Sequence, residues 1–138
     1  MRFPYSLVIA MMLALSGSAY CAEVRITGTF TNLSYNIESG DLLGTEILIV
    51  PGQGGFVAFV QLAEGGEPFS ALVPPKVEGP RIEFTMPEHG SYAGLKFSGA
   101  VSTTELVGRW SSGQREVMKR GVSYWDSKAG LPATRRRR

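Results

Sequence analysis

The chain has 138 residues, is 43% hydrophobic and 19% charged, and carries a formal net charge of +2. Setting aside Arg2 and the terminal Arg135-Arg136-Arg137-Arg138 leaves 9 of the 14 basic residues against 12 acidic ones, so the body is mildly acidic and argues against nucleic-acid binding. A single cysteine and a single histidine exclude a disulfide framework and the usual zinc ligand sets.

The chain opens with Arg2 and then a nine-residue apolar run from Leu7 to Leu15, broken by Ser16, Gly17 and Ser18. That pattern predicts a secretory signal peptide over residues 1–22, cut between 19 and 22, and is about half of what a bilayer span needs. No stable membrane span is expected. Cys21 lies at or before the cut, and Tyr20 before it is too bulky for a lipoprotein signal. About 116 residues would remain, enough for one domain with a core of its own. Periplasmic or secreted localisation follows from this reading. The domain is expected over 23–126 and a disordered basic tail over 127–138.

After the leader, period-2 alternation dominates and no stretch has convincing helical periodicity. Val24, Ile26, Gly28 and Phe30 alternate with Arg25, Thr27, Thr29 and Thr31, which predicts a strand with one dry face. Residues 32–38 lead to a turn at Ser39-Gly40-Asp41. Further strands are expected over 42–50, 56–62 and 69–73. The first two of these are separated by Pro51-Gly52-Gln53-Gly54-Gly55, and 56–62 reads as a central strand. Pro74-Pro75 ends the third, as suits a sheet edge. Residues 81–86 alternate cleanly, and a polar loop follows from Pro87 to Gly94. Strands over 95–101, 105–110 and 115–120 complete the set, and Val122–Trp125 closes the folded part.

About eight short strands with Gly, Pro and Ser turns predict an all-β fold. The expected form is a small antiparallel meander in a closed or nearly closed β-barrel, with a β-sandwich as the alternative. Glycine recurs between large apolar residues on the inward register, in Ile26-Thr27-Gly28-Thr29-Phe30, Phe97-Ser98-Gly99-Ala100-Val101 and Leu106-Val107-Gly108-Arg109-Trp110. It lets a strand bend, or a neighbouring side chain cross above it. The stretch Ile26-Thr27-Gly28-Thr29-Phe30-Thr31-Asn32 resembles the first strand of avidin-type barrels. The tryptophans that line the biotin pocket of that family have no counterpart here, so the resemblance implies a barrel and no ligand.

Chemistry is sparse. His89, with Glu88 and Ser91, lies in one short loop, and residues so close rarely converge as a catalytic set; a solvated loop histidine is expected. Glu38 and Asp41 belong to a turn, and Gly52-Gln53-Gly54-Gly55 leads into a strand rather than a phosphate-binding helix. No cofactor, no metal and no catalytic residue is assigned. Trp110 falls on the inward register and is expected in the core. The expected function is a non-enzymatic envelope binding domain whose partner is a protein, such as a cell-wall hydrolase to be inhibited, or a small apolar ligand. The candidate contacts are His89, Ser91 and Tyr92 in the long loop and Tyr124 and Trp125 at the end of the folded part. The alternative is a small hydrolase with carboxylates converging inside the barrel.

Overall fold

The computed structural model describes residues 23–127, so the expected leader and all but the first residue of the expected tail lie outside the described residues. The strands are β1 (Gly28–Thr31), β2 (Ser34–Asn36), β3 (Asp41–Gly52), β4 (Gly55–Glu64), β5 (Phe69–Val73), β6 (Lys76–Glu78), β7 (Arg81–Thr85), β8 (Lys96–Val101), β9 (Glu105–Trp110) and β10 (Arg115–Gly121). A 3-10 helix, Tyr124–Asp126, follows. No helix among the described residues is long and apolar enough to cross a membrane.

All strands belong to one antiparallel sheet, ordered β5-β4-β3-β1-β10-β9-β8-β7-β6, with β2 added beside β3. The single sheet curls into a half-barrel, where the sequence left a sandwich open. Its two edges, β5 and β6, lie eight antiparallel steps apart and so run in the same direction. Only Pro74 and Pro75 separate them in the chain. They are consecutive pieces of one extended segment, the first paired to β4 and the second to β7. Two residues of chain span about 11 Å at most, which forces the edges of the sheet towards each other. Proline supplies no N–H for a ladder, which is why the pairing changes partner there.

Two strands escaped the sequence reading. β2 and β6 are three residues each, and neither has a buried residue to leave an alternating signature. β5 is an edge, as its terminal prolines imply. β4 lies one place in from that edge rather than at the centre.

The concave face holds the core. Phe30, Ile47, Ile49, Val60, Ile82, Leu106 and Met118 are among its fully buried members. Phe84, Phe97 and Trp110 form an aromatic cluster: Phe84 and Phe97 stack with centroids 5.1 Å apart, and Trp110 meets Phe97 edge-on at 4.9 Å. Gly99 and Gly108 pair across β8 and β9. A Cβ on Gly108 would strike the Phe97 ring and stand 2.8 Å from the Ser98 carbonyl oxygen. The glycines of the recurring motif therefore make room for Phe97 to lie across two strands, and the ring fills the volume their side chains leave.

Candidate binding site at the mouth of the half-barrel

Strand β10 shows how the two ends of the concave face differ. Its inward residues are Glu116, Met118 and Arg120, so a carboxylate and a guanidinium stand about 13 Å apart along the strand with an apolar residue between them. Arg120 caps one end. Its Nη1 donates to the Thr27 carbonyl at 2.7 Å, its Nη2 to the carbonyls of Arg25 and Ser102, and its guanidinium lies 4.5 Å from the centre of the Phe30 ring. Burial, and then the charge of Arg25, holds this guanidinium below its ordinary pKa. That end is a structural clasp between the N-terminal segment and the β8–β9 turn.

The other end is open. Glu116 is only 4% exposed, yet no basic group among the described residues meets it. Three neutral donors do: Asn32 Nδ2 at 2.7 Å to Oε2, Gln114 Nε2 at 2.8 Å to Oε1, and Thr45 Oγ1 at 3.3 Å to Oε1. Asn32 is itself fixed, because its Oδ1 accepts from the Thr45 backbone N–H and its Nδ2 also donates to the Val117 carbonyl. This close approach requires glycine at position 44, where φ is +111° and a Cβ would lie 2.6 Å from the Asn32 carbonyl oxygen.

Above Glu116 lies a cavity of about 180 Å³. Thr45, Gln114 and Glu116 form its polar floor; Leu62, Leu95 and Trp110 form apolar walls; Glu64, Tyr92 and Ser112 also line it. Two carboxylates and no basic side chain face this space. Tyr92 leans against Phe69 with centroids 5.4 Å apart. Burial, and then the charge of the neighbouring Glu64, push its phenol above the ordinary range. Gly90 in the same loop sits against the Phe69 ring, where a Cβ would collide. The loop between β7 and β8 is thus held against β5 through Gly90 and Tyr92.

The five residues singled out from the sequence therefore separate. Tyr92 lines the mouth, whereas His89 and Ser91 are exposed beside it and do not line the cavity. Tyr124 and Trp125 are elsewhere. The C-terminal segment folds over the convex face of β3 and β4, so it neither plugs the barrel nor extends the last strand. Tyr124 joins a small cluster with Leu33, Leu42 and Ala63, and Trp125 Nε1 donates to Gln61 Oε1 at 2.6 Å. Glu46 points outward but is buried beneath this segment at 4% exposure. It accepts from Ser123 Oγ at 2.6 Å and from the Tyr124 backbone N–H at 2.7 Å.

A larger cavity of about 710 Å³ lies along β6–β9, where Lys76, Glu83, Ser98 and Arg109 stand in one cross-strand row. Two of the three cations that line it are engaged within the chain: Lys76 pairs with Glu78 at 2.8 Å, and Arg109 Nη1 donates to the Gly113 carbonyl, while Lys96 is the third. Both ends of the Lys76–Glu78 pair are exposed, so it contributes little. No buried polar group lies at its base to select a ligand, so the mouth is the better site. Among the described residues no three His, Cys, Asp or Glu side chains gather as metal ligands.

Sequence reasoning missed Glu116 and Asn32. In Arg115–Arg120 each face carries a charged, an apolar and a charged residue in turn, so alternation alone does not say which face turns inward. Comparison of the chain with protein-family models, with curated proteins and with solved structures finds no match, so the functional reading rests on this geometry.

Proposed function

We propose that this protein is an exported, non-enzymatic binding domain of the bacterial envelope that takes its partner at the open mouth of a nearly closed barrel. In this reading residues 1–22 are the signal that delivers it to the periplasm or medium, and the partner is a protein, such as a cell-wall hydrolase held inactive. The observation that carries it is Glu116, a carboxylate buried at the floor of a cavity with no cation among the described residues beside it. Burying a charge without a counter-charge is costly, and hydrogen bonds from neutral groups repay only part of it. A cation brought in by a partner through the cavity would supply the missing counter-charge.

The test is recovery of partners from envelope extract on the immobilised protein. Glu116→Gln and Tyr92→Ala are expected to weaken the same specific partner, and Trp125→Ala to leave it. Loss with Trp125→Ala alone would move the site to the convex face.

One observation favours a second reading, a small hydrolase: Glu64 and Glu116 line the same cavity. Its volume of about 180 Å³ falls below the several hundred Å³ typical of pockets for small-molecule substrates. That favours insertion of a side chain over a substrate held for catalysis. Hydrolysis of peptidoglycan fragments by the protein, lost in Glu116→Gln, would establish the enzyme instead.

A further inference from the structure

The mouth has a charge and a shape that select the chemistry of what enters it. This step rests on the binding reading above and names the group bound. A carboxylate offers about four acceptor positions. Three on Glu116 are taken, by Asn32, Thr45 and Gln114, which leaves one on Oε2. Among the described residues no three His, Cys, Asp or Glu side chains gather here to hold a metal ion. A single N–H from a cation fits the remaining position. Glu64 lies at the same cavity and adds a second negative charge.

Between these charges the walls are apolar. Leu62 and Leu95 suit a methylene stem, and the Trp110 indole suits a cation close to its ring. The cavity of about 180 Å³ is smaller than ordinary small-molecule pockets of several hundred Å³ and suits a single long side chain. We infer that the mouth receives one cationic side chain, lysine or arginine, inserted by a protein partner, with its head on Glu116 and its stem between Leu62, Leu95 and Trp110.

The test is titration of the purified protein with three probes: N-acetyl-lysine methylamide, N-acetyl-arginine methylamide, and the uncharged N-acetyl-norleucine methylamide. Trp110 fluorescence and the amide resonances of Thr45 and Gln114 report occupancy. At least one cationic probe should bind tenfold or more tightly than the norleucine probe. Glu116→Gln should remove most of that advantage, and Glu64→Gln should reduce it two- to fivefold. Equal binding of the norleucine and cationic probes would overturn the inference and leave the mouth standing as a binding site. If no probe moves a mouth resonance, both the inference and the binding reading fail. Should Glu116→Gln prove unfolded, the comparison of charged and uncharged probes on the unaltered protein still decides.

Discussion

Thr45 and Glu46 are neighbours on β3 and face opposite sides of it, and each side holds a buried carboxylate of equal exposure, 4%. On the concave side Thr45 donates to Glu116; on the convex side Glu46 accepts from Ser123 and Tyr124. Glu46 is covered by the chain's own C-terminal segment, and its partners are the groups it pins down. Glu116 is covered by nothing but a cavity, and its partners only hold it in place. Burial alone therefore does not mark a functional acid. What distinguishes the two is whether the volume beyond the carboxylate is filled by the protein itself.

The largest effect tests the wall that the mouth shares with the core. Trp110 packs on Phe84 and Phe97 and also lines the cavity. Trp110→Ala should cost about 3–5 kcal/mol, read by denaturant unfolding, and abolish binding with it. Next is the convex side. Glu46→Ala leaves Ser123 Oγ and the Tyr124 N–H without their acceptor and loosens the cover over Leu33, Leu42 and Ala63. A loss of about 2–3 kcal/mol is expected, with binding at the mouth unchanged in the protein that remains folded. Glu116→Gln should be milder, within about 1 kcal/mol, because its oxygen can still accept from Asn32 and the exposed Gln114 can turn to water.

The smallest effect is a pH dependence. The Tyr92 phenol is held above its ordinary pKa by burial and by Glu64, so the unfolded chain releases this proton first. Its contribution is fully present below about pH 10 and declines as pH rises through the higher folded value. Tyr92→Phe should remove that decline in a series of melting curves taken from pH 9 upward.

The contrast between the two carboxylates also explains what could be read from the sequence. Alternation and turn residues located the eight longer strands, the edge at β5 and the glycines beneath Phe97, because burial on one face leaves a period of two. Strands β2 and β6 left no such trace. The closing segment was hidden for a different reason: the change of partner at Pro74-Pro75 is a matter of sheet order, and prolines mark an edge without saying which strand lies beyond it. Tyr124 and Trp125 read only as contacts at the end of the folded part, since composition gives no direction to a chain leaving its last strand. Tyr92 drew attention as the aromatic of the long loop, and it does line the mouth, but folded inward. Glu116 was illegible because both faces of β10 carry the same pattern of charge and apolarity, and only the register of β10 against β9 and β1 turns it inward.

The most direct measurement is a matched pair. Glu46→Gln and Glu116→Gln each remove one buried negative charge and change shape little. Each variant would be melted and titrated with the better cationic probe. The account predicts that Glu46→Gln loses stability and keeps wild-type affinity, while Glu116→Gln keeps most of its stability and loses at least tenfold in affinity. The opposite pattern, affinity lost with Glu46→Gln and retained with Glu116→Gln, would contradict it.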